Sequence, residues 1–219
     1  TKLCPIYTVQ TNEKKVALTF DAAWGSEDTP TLCNILKENG ATATFFLVGQ
    51  WVDKYPESVK QLSDCGFEIG NHSSTHPYFS KISKSEIIKE VQGCNEKIKT
   101  ITGKSPTVFR MPYGDYNNAA VSAVGELGMY SIQWTCDSKD WMQSATKESI
   151  VKDALKNLKP GTIILFHNAA QHAPEALPEV IAKLKAEGYT FCTVSDLIYK
   201  DNYTINHAGE QVPVQSTVQ

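Results

Sequence analysis

The stretch VALTFD, residues 16–21, is a short apolar run that ends in the carboxylate of Asp21. A run of this length and composition predicts a strand buried on both faces. The same pattern recurs at residues 162–167, where TIILF is followed by His167. Because strands of a parallel sheet are apolar along their whole length when helices cover both faces, these two runs indicate a parallel sheet inside a layer of helices.

Strand and helix patterns alternate along the rest of the chain. Further strands are predicted over 43–48, 67–70, 107–110, 130–136 and 189–194, and helices over 30–39, 56–65, 83–102, 117–127, 147–158 and 174–187. The helix over 83–102 begins with Ser83 and Glu86, which form a capping box. About seven strand–helix units in this order predict an α/β fold, with a closed or nearly closed barrel of about seven parallel strands.

Composition and motifs exclude several classes of protein. Of the 219 residues, 41% are hydrophobic and 21% charged, and the net charge of −3 gives no electrostatic basis for binding nucleic acid or an anionic membrane surface. No apolar run reaches the roughly 18 residues of a transmembrane helix, and no signal peptide is visible. Neither G-x-G-x-x-G nor the P-loop pattern occurs. Six scattered cysteines lack a C-x-x-C pair and do not reveal the redox compartment.

The segment NHSSTHP, residues 71–77, brings two imidazoles close together just beyond a predicted strand. Neutral imidazole is the commonest metal ligand among side chains. His72 and His76 are four residues apart, as in the H-E-x-x-H zinc motif, but Ser73 stands where that motif has its glutamate base. The pair therefore predicts a metal site whose general base comes from another part of the chain.

Polar and aromatic residues follow the other predicted strands in the same way. They are Asp21, His72, His76, Arg110, Tyr113, Asp137, Asp140, Trp141 and His167. Active sites of β/α barrels are built at the C-terminal ends of the strands, so we predict the catalytic face there. Of these residues, Asp137 is expected to cap a loop rather than to act in catalysis.

Five segments, taken in order, resemble the motifs of a known family. They are TFDAAWG (19–25), NHSSTHP (71–77), FRMPYG (109–114), DSKDW (137–141) and ILFH (164–167). In this order they resemble the NodB-homology polysaccharide deacetylases, carbohydrate esterase family four, and most closely the deacetylases of spore-forming bacteria. The resemblance implies a distorted (β/α) barrel with fewer than eight full units, which agrees with the strand count.

The resemblance also implies a domain organisation and a setting. Residues 15–200 would form the catalytic domain, with an N-terminal extension over 1–14 and a C-terminal tail over 201–219, of which 206–219 are polar and aperiodic. The protein would act on a polysaccharide outside the bacterial cell or in its envelope, with any signal peptide removed. A monomer is assumed.

The activity implied is metal-dependent hydrolysis of N-acetyl or O-acetyl groups. His72 and His76 would hold a divalent metal, zinc first and cobalt or nickel as alternatives. Asp21 would be the general base, and Arg110 would keep it ionised and oriented.

On the opposite side of the reacting group, His167 would be the general acid, with its tautomer fixed by Asp140. The backbone N–H of Tyr113 would stabilise the oxyanion. Trp141 and Leu165 would line a pocket for the acetyl methyl group, and Trp24 would either pack or shape the pocket near Ala22.

One position departs from the family pattern. The family has two adjacent aspartates in its first motif, the second being a metal ligand, and here that second residue is Ala22. Water fills the vacancy, or Asp28 or Glu27 replaces the ligand, or Asp21 itself binds the metal. Catalytic zinc sites normally have three protein ligands. Two histidines alone predict a weakly held metal, and an Ala22→Asp change is expected to raise metal affinity.

The same departure leaves two functions open. The chain is either an active deacetylase of an envelope or plant polysaccharide, or a lapsed enzyme that binds glycan without turnover. Retention of Asp21, Arg110, Asp140 and His167 favours the active enzyme, because a glycan-binding protein has no need of an acid–base pair.

Overall fold

A computed structural model of the chain describes residues 2–215, in which eleven strands form one curled sheet. The strands are β1 (Thr8–Val9), β2 (Lys15–Ala22), β3 (Thr44–Leu47), β4 (Glu68–Asn71), β5 (Val108–Phe109), β6 (Tyr130–Ser131), β7 (Cys136–Asp137), β8 (Thr162–His167), β9 (Thr190–Phe191), β10 (Tyr203–Ile205) and β11 (Glu210–Pro213). The α-helices are α1 (Thr29–Glu38), α2 (Gly49–Lys54), α3 (Pro56–Asp64), α4 (Lys84–Thr102), α5 (Asn118–Glu126), α6 (Lys147–Ala154), α7 (Ala173–Ala186) and α8 (Val194–Leu197).

The main strand order is β10-β11-β1-β8-β2-β3-β4-β5-β6, with β7 beside β8 and β9 beside β2. All neighbours from β8 to β6 are parallel, whereas β1 is antiparallel to β8 and β10 is antiparallel to β11. The sheet curls into a half-barrel, so the predicted distorted (β/α) barrel of parallel strands is confirmed, with a mixed edge added to it.

Strand register places the functional residues at the same level along the parallel strands. Asp21 pairs with His167 on one side and with Phe46 on the other. Asn71, the last residue of β4, pairs with Phe109, and Arg110 follows directly. The predicted base, acid, metal ligands and arginine therefore all lie at one edge of the sheet, at the C-terminal ends of its parallel strands.

The side chains of β2 alternate between two environments. Leu18, Phe20 and Ala22 belong to the large apolar cluster that also contains residues of α1, α3 and α7. Ala17 belongs to a second apolar cluster, and Thr19 and Asp21 are buried polar residues. Because successive side chains of a strand point to opposite faces, Asp21 reaches the site while Ala22 packs in the core.

Two predicted strands differ most from the structure. The predicted strand over 130–136 is divided into β6 and β7, because Gln133 N–H donates to Ile6 O (2.7 Å) and Thr135 N–H donates to Ile163 O (3.1 Å). The predicted strand over 189–194 ends at Phe191, and Thr193 then caps α8 by accepting from Asp196 N–H. The predicted cap of α4 is present, with Ser83 Oγ accepting from Glu86 N–H.

Both predicted flanking segments contain strands. The N-terminal extension contributes β1, and the tail contributes the hairpin β10–β11, which pairs with β1. Gln211 is buried in that hairpin, and its amide exchanges two hydrogen bonds with the backbone of Tyr199. These contacts order a segment that its polar composition predicts to be a tail or linker. Residues 216–219 of the predicted tail lie outside the described residues.

Two further findings concern the described residues as a whole. No helix between residues 2 and 215 is long and apolar enough to cross a membrane. All six cysteines are free thiols, and Cys33, Cys94 and Cys136 are buried, whereas Cys192 is half-buried.

Candidate active site

A cavity of about 420 Å³ opens at the C-terminal edge of the parallel strands. Most of the residues predicted for the site line it: Asp21, His72, His76, Tyr113, Asp137, Trp141, Leu165 and His167. Arg110 and Asp140 are buried and hold lining residues through hydrogen bonds. A volume of this size lies in the range of small-ligand sites, about 300–1,000 Å³.

Asp21 and Arg110 form a buried ion pair. Arg110 Nη1 donates to Asp21 Oδ1 at 2.9 Å, and the arginine is fully buried. Burial acts to raise the pKa of Asp21, but the neighbouring positive charge, chiefly that of Arg110, outweighs it, and the pKa lies below its ordinary value. Asp21 is therefore ionised and able to accept a proton, as a general base must be.

Three further groups fix the guanidinium of Arg110. Thr19 Oγ1 accepts from Nη1 at 2.9 Å, Gln133 O accepts from Nη2 at 3.0 Å, and the guanidinium lies 4.3 Å from the ring centroid of Phe46. Sequence reasoning missed Thr19 and Gln133. Thr19 carries a detectable signal, because it lies two residues before Asp21 and so on the same face of β2.

The two histidines meet through their Nε2 atoms. His72 Nδ1 donates to Arg110 O at 2.8 Å, which leaves the lone pair of Nε2 free. That Nε2 lies 3.1 Å from His76 Nε2 and 3.5 Å from Asp21 Oδ2. Burial lowers the pKa of both imidazoles, that of His76 to about 4, so both are neutral at pH 7.

The loop that carries the second histidine is held in an uncommon conformation. Ser73 and His76 have positive φ angles of 71° and 63°. Ser73 Oγ accepts from His76 N–H at 2.9 Å, and Asn71 Oδ1 accepts from Ser73 N–H at 2.7 Å. Glu90 accepts from both the backbone N–H and the hydroxyl of Thr75, at 2.8 and 2.6 Å. These bonds keep the two imidazoles together.

The nitrogen pair fits two positions of a metal site. Two ligands about 2.0–2.1 Å from a tetrahedral zinc lie about 3.3 Å apart, close to the separation of the two Nε2 atoms. No group of three His, Cys, Asp or Glu side chains arranged to hold a metal is found within residues 2–215. Ala22 has no ligand atom in its side chain, which is fully buried in the apolar cluster. Position 22 therefore supplies no ligand, and among the residues that the structure describes the carboxylate beside the histidine pair is that of Asp21, whose Oδ2 lies 3.5 Å from His72 Nε2 and is assigned below to proton transfer.

On the opposite side of the cavity, Asp140 binds His167 at two points. Its Oδ1 accepts from His167 Nδ1 at 2.9 Å, and its Oδ2 accepts from the backbone N–H of His167 at 2.7 Å. Burial acts to lower the pKa of His167, but the hydrogen bond that the ring donates to Asp140 and the charge of Asp21 outweigh it and raise the pKa. The ring is thereby suited to donate a proton from Nε2.

The model of the polysaccharide deacetylase family matches residues 8–132, more than half of the chain. The chain belongs to the polysaccharide deacetylase family. Members of this family depend on a metal in general.

Two bacterial relatives of this polysaccharide deacetylase bear names that specify a substrate. The chain is 33% identical over 197 residues to the peptidoglycan-N-acetylmuramic acid deacetylase PdaA of Bacillus subtilis, covering 89% of this chain and 75% of the relative. It is 32% identical over 190 residues to a peptidoglycan-N-acetylglucosamine deacetylase of Bacillus cereus, covering 85% of this chain and 69% of that protein.

A solved relative bears a different description. Wild-type BA3943 from Bacillus anthracis, described as a pseudoenzyme of carbohydrate esterase family four, matches with a TM-score of 0.85 and 34% identity over 90% of this chain and 69% of that chain. A mutant of BA3943, described as having restored enzymatic activity, matches with a TM-score of 0.85 and 35% identity over 90% of this chain and 71% of that chain.

The aromatic and apolar residues predicted for this deacetylase occupy distinct positions. Leu165 is almost fully buried at the wall of the cavity, while Trp141 is 63% exposed at its mouth. Tyr113 has a positive φ of 61° and stacks on Tyr78, with ring centroids 4.1 Å apart. The backbone N–H of Tyr113 makes no hydrogen bond to another group in the described part of the chain, so it is free to bind an oxyanion.

Three remaining residues differ from their simplest predictions. Asp28, a predicted replacement ligand, accepts from Ala169 N–H through Oδ2 (2.7 Å) and does not line the cavity. Asp137 caps its loop as predicted, accepting from Lys139 N–H, but it also lines the cavity. Trp134, which is predicted to be a packing residue, lines the cavity and lies 5.4 Å from the guanidinium of Arg110.

Proposed function

We propose that the chain is an active, metal-dependent deacetylase that hydrolyses N-acetyl groups of a polysaccharide, with peptidoglycan as the first substrate to test. The names of the relatives PdaA and the Bacillus cereus enzyme support this substrate. Such a substrate would place the protein in the bacterial envelope or outside the cell. Chitin-like glycans and O-acetylated xylan are the further substrates to compare.

The observation that carries the proposal is the pairing of an acid and a base across one cavity. Asp21 is bonded to Arg110, and His167 is bonded to Asp140. The two environments shift the pKa values in opposite directions, downward for Asp21 and upward for His167. Opposite shifts of this kind assign the base and the acid of a hydrolytic reaction.

Each of the two pairs leaves one atom free for chemistry. Asp21 Oδ1 is bonded to Arg110, so Oδ2 is the oxygen that would accept a proton from the attacking water. His167 Nδ1 is bonded to Asp140, so Nε2 would donate a proton to the departing amine. The nitrogen of the amide needs this proton, because without it the C–N bond would have to release a strongly basic nitrogen anion, which is a poor leaving group.

Other residues would bind the acetyl group. The free backbone N–H of Tyr113 would donate to the oxyanion of the tetrahedral intermediate, an interaction typically worth about 2.7–4 kcal/mol in catalysis. Leu165 and Trp141 offer apolar surface of the kind that an acetyl methyl group requires. Together these contacts would orient the acetyl carbonyl between Asp21 and His167.

His72 and His76 are the residues that would hold the metal, zinc first and cobalt or nickel next. When bound, the ion would polarise the acetyl carbonyl and make a bound water more acidic. With two protein ligands in place of three, we expect weak binding that depends on added metal. Asp28 is not proposed as the third ligand, because it does not line the cavity that contains the two histidines, and its Oδ2 accepts from the backbone N–H of Ala169.

Acetate release tests the proposal. The purified protein is incubated with peptidoglycan, acetylated chitooligosaccharides and acetylxylan, with zinc, cobalt or nickel added and with a chelator as control. We expect acetate from at least one substrate and its loss with the chelator. Absence of acetate from every substrate with every metal would contradict the proposal.

The second candidate is a lapsed enzyme that binds glycan without turnover. Ala22 favours it, because the side chain at this position is buried in the core and offers no ligand. The likeness to the BA3943 pseudoenzyme points the same way. Glycan binding measured by calorimetry, together with no acetate at any metal concentration, would establish this second function.

A further inference from the structure

Trp24 presents an exposed indole at the cavity that the catalytic roles above do not use. Its side chain lines the cavity and is 66% exposed. The indole meets His76 edge-on, with ring centroids 6.5 Å apart. Large apolar surfaces left in water next to a binding site commonly mark the place where a ligand or partner binds.

The backbone that carries Trp24 is firmly anchored. Asn168 Nδ2 donates to Trp24 O at 3.2 Å and to Gly25 O at 2.6 Å, and Trp51 Nε1 also donates to Gly25 O at 2.7 Å. Gly25 has a φ of 67°, and a Cβ there would lie 3.0 Å from the Cβ of Ala169. This anchoring fixes the backbone from which the indole projects, so less conformational freedom is left to lose on binding.

Trp24 and Trp51 both lie near Gly25, but their indoles differ in exposure and in hydrogen bonding. Trp51 is 2% exposed and its indole nitrogen is bonded. The indole nitrogen of Trp24 makes no hydrogen bond to any atom of residues 2–215. Trp51 is therefore a structural residue, whereas Trp24 has both a free ring face and a free N–H donor.

A second aromatic surface lies across His76. Tyr113 contacts His76 with ring centroids 4.4 Å apart, and Tyr78 stacks on Tyr113 at an interplanar angle of 13°. His76 thus contacts both Trp24 and Tyr113. Flat aromatic rings with polar groups at their edges suit a sugar ring, which has an apolar face and a rim of hydroxyl groups.

We propose that Trp24 stacks on the sugar next to the one whose acetyl group enters the cavity. The assignment deepens the proposed function and rests on the substrate being a glycan. Leu165 and Trp141 are assigned to the acetyl methyl group. Trp24 adjoins His76 instead, so it is available to contact the neighbouring sugar of the glycan. The protein would then prefer oligosaccharides to single sugars.

Calorimetric titration tests this assignment without requiring turnover. A tetramer of β-1,4-linked N-acetylglucosamine and the single sugar are titrated into wild type, Trp24→Ala, Trp24→Phe and Leu3→Ala. Leu3 is the matched control, since it is also an exposed apolar residue but lies outside the cavity. We expect Trp24→Ala to weaken tetramer binding about tenfold, as for a typical aromatic contact residue.

The variants distinguish stacking from other effects. Trp24→Phe should recover most of the tetramer affinity because it restores a ring face, and neither Trp24 variant should change the binding of the single sugar. In wild type, the NMR signal of the Trp24 indole N–H should shift on adding tetramer. Unchanged tetramer affinity in Trp24→Ala, or equal weakening for tetramer and single sugar, would overturn the assignment.

The outcomes also separate this assignment from the proposed function. Wild type that binds neither sugar would overturn the role of Trp24, whatever acetate release shows. Wild type that binds tetramer through Trp24 but releases no acetate would keep the role of Trp24 and reject the active enzyme.

Discussion

The two sides of the cavity differ in how completely they are built. On the acid–base side, Asp21 and His167 each have a dedicated buried partner, Arg110 and Asp140. On the metal side, two histidines face one another, but the position at which the family places a third ligand is Ala22, packed in the core. The comparison teaches that proton-transfer groups and metal ligands of one site can be lost independently.

The strongest way to break the acid–base side is Arg110→Met. It removes a fully buried cation and leaves the carboxylate of Asp21 without its partner, which typically costs about 3–5 kcal/mol of stability. Without Arg110, the pKa of Asp21 should rise and the base should be lost. Urea denaturation and acetate release measure the two effects. Arg110→Lys is the control, and equal stability of wild type and Arg110→Met would contradict the prediction.

The next effect is on His167 as the acid. His167→Gln removes the proton donor and should lower acetate release about 10²–10⁴-fold. Because the ring lies at the cavity wall, its loss should change the unfolding free energy far less than Arg110→Met does. The measurement is initial rates on the best substrate, with denaturation as control. If His167→Gln lowered the unfolding free energy as much as Arg110→Met does, His167 would be a structural residue.

A third substitution, Ala22→Asp, adds a possible metal ligand and leaves the acid–base residues intact. Ala22→Asp places a carboxylate where the side chain is fully buried, so the metal-free variant should lose about 1–3 kcal/mol of stability. Added zinc should restore stability and raise the melting temperature more than in wild type, as expected for a ligand that binds the folded state. Ala22→Asn is the neutral control. A zinc response equal to that of wild type would show that position 22 does not reach the metal.

The pH dependence of stability and of rate tests the acid–base side of the cavity through His167. His167 has a raised pKa, so its contribution to stability is fully present below the pKa of the unfolded chain and is lost as pH rises through the folded pKa. The rate should fall over the same interval as the acid loses its proton. Asp140→Asn removes the partner that raises the pKa, and should move this limb to lower pH. A limb that stays in place would exclude His167 as the titrating group.

The smallest effect concerns the loop of the second histidine. Glu90→Gln weakens the two hydrogen bonds to Thr75 and should lower metal affinity about tenfold, the low end for residues that orient a ligand. Glu96→Gln is the matched control, since it removes the same charge from the exposed face of α4. Equal zinc affinity in the two variants would show that Glu90 does not position His76.

The strand ends were the predictable part of the molecule. Residues 16–21 and 162–167 are apolar runs that end in a functional side chain, and a parallel sheet necessarily brings such ends together. Spacing likewise indicates that His72 and His76 face one ion. The sequence therefore suffices for the fold class and for most of the functional residues at the cavity, although not for Thr19, Gln133 and Trp134.

Contacts distant in sequence account for the rest. Asn168 anchors the backbone at Trp24, and Asp28, whose Oδ2 accepts from Ala169 N–H, lies outside the cavity. The hairpin in the predicted tail is ordered by Gln211 and Tyr199. None of these pairings has a local pattern, since each depends on two segments that only the folded chain brings together.

Arg110 contributes to both sides of the cavity. Its guanidinium binds Asp21, and its backbone carbonyl binds Nδ1 of His72. Selection for folding alone would therefore preserve Arg110 and Asp21 in a lineage that had stopped turning over substrate, whereas at position 22 it would favour a small apolar side chain over a carboxylate. Among relatives of this chain, the informative marker of retained catalysis is the Asp140–His167 pair. Of the four acid–base residues, His167 is the one whose loss should affect folding least.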